Sequence, residues 1–201
     1  TYMLKRGLRR AVVGEDTRLS SPKLRESLIN GLLTTGVEVS LCERNSFGVT
    51  IFTAQRTKAD TCFYVTASHL PPQYNGLKPF YGLGLSFMPE EIQEVRKIVE
   101  KGEFRKGAPS ELKKVDAKEE YIKFMKKHFD CSGTKVAVDC GGGSTCLIVP
   151  ELFFEMRMEV KRVFCEVDPT MSVRDPRPSE KSLTELTKVV KRSEDDFGVG
   201  F

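Results

Sequence analysis

The chain has 201 residues, of which 39% are hydrophobic and 30% charged, and its formal net charge is only +4. Acidic and basic residues are interleaved along the chain, so the composition gives no case for a nucleic-acid groove. No stretch approaches the roughly 18 apolar residues that a membrane span needs, and the N-terminus lacks the pattern of a secretory signal.

The first half of the chain alternates short apolar runs with one clear helical pattern. Strands are predicted at Arg10–Val13, Glu38–Leu41 and Thr61–Thr66. A helix is predicted from Pro22 to Thr35, because Pro22 suits a first helical position, Ser21 can cap it and Gly36 follows its end. The segment between the second and third strands is expected to be partly helical. Strands alternating with helices indicate a parallel α/β sheet with crossover helices.

The second half repeats this rhythm after a charged helix and linker over residues 85–114. The elements predicted next are a helix at Ala117–Phe129, a strand at Lys135–Asp139, a helix at Leu147–Arg157, a strand at Glu159–Val163, a helix at Leu183–Lys191 and a last strand from about Phe197. We therefore predict an α/β fold with two consecutive units, residues 1–113 and 114–201. Because the chain begins in an apparent helix tail and stops inside an apolar strand, it is expected to be cut at both ends.

Six cysteines are spread along the chain without a C-x-x-C pair or a nearby histidine spacing suited to zinc. They are Cys42, Cys62, Cys131, Cys140, Cys146 and Cys165. We interpret them as small buried hydrophobic residues in a reducing compartment, which predicts a cytoplasmic location.

The first candidate for chemistry is Ser68, in the loop that follows the strand Thr61–Thr66. Loops at the carboxyl ends of strands are where α/β sheets bind ligands. A serine next to His69, followed by prolines and an Asn-Gly turn, has the ingredients of an activated nucleophile. The same residues also suit a purely structural turn, and the pattern by itself leaves both interpretations open.

Two further loops follow strands in the same way. After the first strand, Arg18 could bind a phosphate with two hydrogen bonds while Ser20 and the helix start offer more donors; alternatively, the serines cap the helix and Arg18 is solvated. After the strand Lys135–Asp139, the glycines at 141–143 could face an anion, although a tight turn between strand and helix is the simpler role. This glycine run matches neither a P-loop nor a dinucleotide fingerprint.

Taken in order, these stretches resemble the α-D-phosphohexomutase family. Thr66-Ala67-Ser68-His69-Leu70-Pro71 is similar to the family's catalytic signature Thr-Ala-Ser-His-Asn-Pro, and residues 74–78 are similar to its continuation. Residues 13–22 resemble the segment that opens the family's first domain, and residues 31–39 the helix and strand after it. Residues 136–152 resemble the start of the second domain, so the resemblance covers nearly the whole chain.

The resemblance implies two phosphohexomutase-type three-layer α/β/α domains with mixed, largely parallel sheets, the first without its N-terminal segment and the second truncated. It implies that phosphorylated Ser68 hands its phosphoryl group to a hexose phosphate and regains one from the sugar bisphosphate that results. Arg18 and Lys78 would be the nearby cations, His69 would flank the nucleophile, and Arg18, Ser20 and Lys78 would bind phosphate.

The resemblance also implies cofactors and partners. Mg²⁺ is expected in the intact protein, with the phosphate of Ser68 as the one metal ligand in this chain, because the family's Asp-Gly-Asp-x-Asp-Arg loop would follow Phe201. Glucose 1,6-bisphosphate or a similar compound is the expected activator. A second copy of the chain or the missing C-terminal domains would be the protein partner. Leu70 departs from the usual Asn and removes a polar side chain beside Ser68.

Two alternatives stay open at this stage. The 201-residue chain could bind a phosphosugar or a partner chain without turning a substrate over, because the metal loop is absent. A serine hydrolase using Ser68 and His69 is disfavoured, since adjacent residues on an extended segment point apart and no third group orients the histidine.

Overall fold

The computed structural model describes residues 1–201 and contains two β-sheets flanked by helices. The first sheet comprises β1 (Arg10–Glu15), β2 (Glu38–Arg44), β3 (Thr61–Val65), β4 (Leu77–Tyr81) and β5 (Leu112–Lys114). The second comprises β6 (Lys135–Asp139), β7 (Glu159–Val163) and β8 (Phe197–Gly200). The helices are α1 (Tyr2–Lys5), α2 (Ser21–Leu33), α3 (Phe47–Arg56), α4 (Pro89–Lys101), α5 (Lys118–His128), α6 (Val149–Glu155) and α7 (Thr184–Lys191).

The first sheet has the strand order β4-β3-β1-β2-β5, in which only β4 runs antiparallel to its neighbour. The second sheet, β7-β6-β8, is entirely parallel. Because parallel strands share one direction, β1 and β3 end at the same edge of the first sheet, as β6 and β7 do in the second. The predicted α/β fold with mixed, largely parallel sheets is confirmed.

The central strand β1 shows why these residues form a sheet buried on both faces. Val12 packs into one hydrophobic cluster, whereas its neighbours Ala11 and Val13 pack into another, because successive side chains of a strand point to opposite faces. Every residue of β1 after Arg10 is buried, as expected for an inner parallel strand covered by helices on both sides.

The larger hydrophobic cluster is shared by the two halves of the chain. It contains Val49 and Phe52 of α3, Ile122 of α5, and Val136 and Val138 of β6. The ring of Phe52 lies against two aromatic rings of α5, with centroid distances of 5.4 Å and 5.3 Å. Helix α5 therefore joins the two sheets through packing as well as through the chain.

Several predicted helix and strand boundaries differ from those in the structure. The predicted strand at Thr61–Thr66 ends at Val65, and α6 begins at Val149, two residues later than predicted, because a 3₁₀ turn at Ser144–Leu147 precedes it. The ambiguous segment after β2 is helical over Phe47–Arg56. The division predicted between residues 113 and 114 falls at the last strand of the first sheet, which ends at Lys114.

Strand β4 was missed by the sequence analysis. The stretch Leu77–Tyr81 contains Pro79, which cannot donate a backbone hydrogen bond and is therefore confined to edge strands. It pairs on one side only, with β3, and forms the edge of the sheet. No helix of the structure is both long and apolar enough to cross a membrane.

Candidate active site

The loop between β3 and β4 presents Ser68 to a cleft between the two halves of the chain. Ser68 is exposed and lines this cleft. Its φ angle is +56°, a left-handed conformation that a residue with a side chain rarely adopts. Its backbone N–H donates to Oγ1 of Thr66 at 3.0 Å, which closes a tight turn. This backbone conformation places the Ser68 hydroxyl in the cleft. Strained backbone conformations of this kind cluster at functional sites.

Arg18 lies beneath this loop with no exposed surface and holds the loop's backbone. Its Nε donates to Oδ2 of Asp16 at 3.0 Å. Its other hydrogen bonds, 2.8–3.0 Å long, reach four carbonyl oxygens of the loop, those of Ser68, Leu70, Pro71 and Tyr74. All five N–H donors of the guanidinium are thus in use.

A buried guanidinium whose donors are all in use fixes the loop that carries Ser68. The direct contact of Arg18 with phosphate and its direct part in the reaction stay predictions. Leu70 stands where the family signature has Asn. This difference leaves the hydrogen bonds from Arg18 to the loop intact, because Arg18 binds the carbonyl oxygen of Leu70 and not its side chain.

Ser20, just before α2, holds the far end of the loop that carries Ser68. The amide Nδ2 of Asn75 donates to Oγ of Ser20 at 2.8 Å and to Oγ of Ser21 at 2.9 Å. Ser21 in turn donates to Oδ1 of Asp16 at 2.6 Å. Ser20 is not among the residues that line the cleft, and phosphate binding by Ser20 stays a prediction.

Lys78 lies at the wall of the cleft. It lies on β4, paired with Tyr64 of β3, and its side chain is exposed and has no carboxylate partner. A lysine ammonium without an ion-pair partner remains available to an anionic ligand. Thr17, on the same wall, has a buried hydroxyl without a hydrogen-bond partner. An unpaired buried hydroxyl is costly, so this group is a second place where a polar ligand could be held.

His69 contacts a residue of the other half of the chain. Nη2 of Arg177 lies 2.9 Å from Nε2 of His69. Since a guanidinium can only donate, Nε2 must accept, and any ring proton sits on Nδ1. Arg177 belongs to the proline-rich loop between β7 and α7, and the sequence analysis did not identify it.

The opposite wall of the cleft is the glycine turn after β6. Asp139, at the end of β6, is fully buried and accepts two hydrogen bonds from Nε of Arg174, at 3.0 Å and 3.1 Å, and one from the backbone N–H of Gly141 at 2.7 Å. Gly141 and Gly142 have φ angles of +55° and +68°, which explains why glycine occupies both positions. The tight turn predicted here is confirmed.

The two walls enclose a cleft of about 270 Å³. The hydroxyl of Tyr64 bridges them: it lies 3.3 Å from Oγ of Ser144 and donates to the carbonyl oxygen of Asn45 at 2.8 Å. Burial of this phenol raises the pKa of Tyr64, so it is a neutral hydrogen-bonding group. The cleft can therefore accept an anionic ligand between Ser68, Lys78 and the glycine turn.

The residues of this chain do not form a magnesium site by themselves. No group of three or more His, Cys, Asp or Glu side chains is placed to hold a metal ion. Asp16, the carboxylate that lines the cleft, is engaged by Arg18 and Ser21, and Asp139, at the end of β6, is engaged by Arg174. Mg²⁺ prefers near-octahedral oxygen ligands, which these engaged carboxylates do not supply.

Comparison with known proteins identifies both halves of the chain. Residues 1–106 match the family model for phosphoglucomutase/phosphomannomutase, alpha/beta/alpha domain I, and residues 119–201 match the model for domain II of the same family. A probable phosphoglucosamine mutase of Thermococcus gammatolerans is 36% identical over 195 residues, which are 94% of this chain and 43% of that protein. A phosphomannomutase/phosphoglucomutase of Pseudomonas aeruginosa is 33% identical over 200 residues, 98% of this chain and 43% of that protein.

A solved structure agrees with these matches. The crystal structure of a phosphoglucomutase/phosphomannomutase family protein from Burkholderia thailandensis superimposes with a TM-score of 0.90 at 26% identity, and covers 98% of this chain and 44% of that one. The chain thus spans less than half the length of the relatives it matches.

Proposed function

This chain belongs to the phosphoglucomutase/phosphomannomutase family, and from that premise we propose that it supplies the phosphoserine half of a hexose-phosphate mutase. The observation that carries the proposal is the position of Ser68: its hydroxyl is exposed in the cleft, on a loop whose carbonyl oxygens a buried arginine holds in place. Phosphoryl transfer depends mainly on positioning and charge neutralisation, and a rigid nucleophile beside a free lysine provides both.

In the proposed reaction, phosphorylated Ser68 faces a hexose monophosphate in the cleft. A sugar hydroxyl attacks the phosphorus, the bond from phosphorus to Oγ breaks, and a sugar bisphosphate forms. The bisphosphate turns over and returns its other phosphoryl group to Ser68, which interconverts hexose 1-phosphate and hexose 6-phosphate. Lys78 stabilises negative charge on the transferred group, and His69 lies beside the nucleophile, fixed by Arg177.

Mg²⁺ belongs to the proposal for the intact protein, where it would neutralise phosphate charge. Within this chain the phosphate on Ser68 would be its ligand, and the remaining ligands would have to come from elsewhere. A cytoplasmic location is proposed with it, supported by six free cysteines.

The test is phosphate mapping. The intact protein that contains this chain is incubated with glucose 1,6-bisphosphate, and the modified residue is located by mass spectrometry. We expect phosphate on Ser68, none in Ser68→Ala, and unchanged labelling in Ser144→Ala, which removes a hydroxyl from the opposite wall of the same cleft. Phosphate on another residue, or on none, would overturn the assignment.

A second candidate function applies to the 201-residue chain alone. Because its residues lack a complete magnesium site, we propose that the chain by itself binds a phosphosugar without turning it over. A mutase assay on the isolated chain, with the intact protein in parallel, separates the two functions. Turnover by the isolated chain would refute the non-catalytic interpretation.

A further inference from the structure

Three of the six cysteines, far apart in sequence, converge behind the glycine turn. Sγ of Cys165 lies 3.4 Å from Sγ of Cys140. The thiol of Cys146 interacts with Cys140 as well, and its Sγ lies 3.6 Å from the carbonyl oxygen of Phe164. The convergence follows from the parallel pairing of β6 and β7, because Cys140 and Cys165 come just after the ends of these neighbouring strands. The mutase reaction proposed above uses none of these thiols.

The three cysteines lie between the cleft and a second pocket on the protein surface. Cys140 is buried and lines the cleft that contains Ser68. Cys146 and Cys165 are half-buried and line a separate surface pocket, together with Lys118 and Arg162. A small oxidant can therefore reach Cys165 from the outer pocket without entering the cleft. Lys118 is paired with Glu151, which lines the same pocket, so Arg162 is the cation left to favour the Cys165 thiolate. A nearby cation and partial exposure are features of reactive protein thiols.

We propose that Cys140 and Cys165 are a reversible disulfide site that is oxidised by a peroxide. The Cys165 thiolate attacks one oxygen of hydrogen peroxide, the O–O bond breaks, and the released hydroxide takes up a proton to become water. Cys165 is then a sulfenic acid, and the sulfur of Cys140 displaces its hydroxyl group as a second water while losing its own proton. Two thiols and one peroxide thus yield one disulfide and two waters, and a dithiol reductant reverses the change.

Geometry and acidity both support this pair. The sulfurs must approach from 3.4 Å to about 2.05 Å, a small displacement for two side chains already in contact. Hydrogen bonding to the Cys140 thiol lowers the pKa of Cys165 to about 7, against the cost of burial. Interactions with the two other thiols raise the pKa of Cys140, so Cys165 is the thiol that reacts first with the peroxide, and Cys140 must lose its proton as it attacks the sulfenic acid.

Oxidation would act on the cleft through the glycine turn. Cys140 directly precedes Gly141, whose N–H donates to Asp139, so a bond from Cys140 to Cys165 would move a residue that lines the cleft. The existence of the disulfide site does not depend on the proposed mutase activity.

Peptide mapping of the folded, unmutated chain tests the proposal directly. After treatment with hydrogen peroxide and digestion with trypsin without reduction, we expect residues 136–157, which contain Cys140 and Cys146, to be linked to residues 163–174, which contain Cys165. Fragmentation of the linked peptide should place the bond on Cys140, and dithiothreitol should restore all free thiols. Residues 136–157 oxidised internally, a bond from Cys146 to Cys165, or no disulfide would each overturn the proposal.

Variants and pH provide the controls. Cys165→Ser should abolish the link, whereas Cys146→Ser and Cys131→Ser should retain it. The same treatment in urea should give a mixture of pairings, since the specificity depends on the fold. The oxidation rate should rise with pH and be half-maximal near the pKa of about 7 of Cys165. Loss of the link in Cys146→Ser, or an equal rate on both sides of that pH, would contradict the mechanism.

Discussion

Arg177 and His69 are 108 positions apart in sequence, yet Nη2 of the arginine lies 2.9 Å from Nε2 of the histidine. This contact joins the loop after β7 to the loop that carries Ser68. A residue of the second half of the chain is therefore placed to orient the neighbour of the proposed nucleophile.

The first prediction concerns this contact. Removing the guanidinium in Arg177→Ala frees the His69 ring, and an exposed hydrogen bond to a charged group is worth about 1 kcal/mol. We expect phosphorylation of Ser68 by glucose 1,6-bisphosphate in the intact protein to slow by about 3- to 10-fold. Arg192→Ala, which removes an exposed arginine far from this loop, should leave the rate unchanged. Equal rates in all three proteins would contradict a positioning role.

The second prediction concerns Arg18. Arg18→Met removes five hydrogen bonds and leaves the carboxylate of Asp16 and four loop carbonyls without their buried partner. We expect the free energy of unfolding, measured with urea, to fall by about 3 to 5 kcal/mol. The control is Arg56→Ala, which breaks an exposed ion pair with Glu120 and should cost less than about 1 kcal/mol. Similar losses in the two variants would show that Arg18 is not a clamp.

The third prediction concerns Gly141. A Cβ at this position would lie 2.7 Å from Nη2 of Arg174, and the φ of +55° disfavours any other residue. Gly141→Ala should therefore displace Arg174 from Asp139 and lower the free energy of unfolding by about 2 to 4 kcal/mol.

Gly31 is the matched control for this substitution. It lies inside α2 with nothing within 4 Å of a built Cβ, so Gly31→Ala should raise the free energy of unfolding by about 0.5 to 1 kcal/mol. Equal effects of the two glycine substitutions would argue against strain and displacement at Gly141.

The fourth prediction uses two glutamates whose acidities shift in opposite directions. Burial raises the pKa of Glu15, whose Oε2 has no hydrogen-bond partner although Oε1 pairs with Arg25. Folded Glu15 therefore binds its proton more tightly than unfolded Glu15, so its contribution to stability is present at acid pH and lost as the pH rises through the folded pKa. In contrast, hydrogen bonds from the hydroxyl of Tyr2 and, to a smaller extent, from that of Tyr81 lower the pKa of Glu91 to about 2. Its contribution is present above the ordinary pKa of about 4.3 and lost as the pH falls.

Urea unfolding of the unmutated chain, Glu15→Gln and Glu91→Gln between about pH 3 and pH 8 measures both effects. The stability of the unmutated chain relative to Glu15→Gln should fall as the pH rises above the ordinary glutamate pKa. Its stability relative to Glu91→Gln should rise between about pH 3 and pH 5. Parallel pH dependences for the two variants would contradict the assigned shifts.

Much of the fold could be predicted because local chemistry and tertiary structure agree. Pro22 lies in the first turn of α2 and Gly36 follows its end as expected, although the N-cap is Ser20 and not Ser21. The alternating apolar runs became the parallel strands. Strand β4 could not be predicted in the same way, because Pro79 argues against a strand and its tolerance depends on an edge position that no local pattern reveals.

The residues of the site could be predicted where a local pattern indicates them, and not where they depend on contacts between distant segments. Ser68 was singled out because it lies in a loop after a strand, where α/β sheets bind ligands. Lys78 was named from the family resemblance alone, and it lies on β4. The hydrogen bonds from Arg18 to the loop carbonyls could not be predicted, because a guanidinium binds carbonyl oxygens as readily as phosphate and the sequence does not show that Arg18 is buried beneath this loop. Arg177 and the three clustered cysteines could not be predicted, because their contacts are with residues far away in the sequence and their own sequence neighbours do not indicate these partners.

The hydrophobic cluster that α3, α5 and β6 share has a mechanical consequence. Since Phe52 and Ile122 belong to the same packed interior as Val136, neither sheet can lose its structure without exposing the interior of the other. Calorimetry of the chain should therefore show one cooperative melting transition.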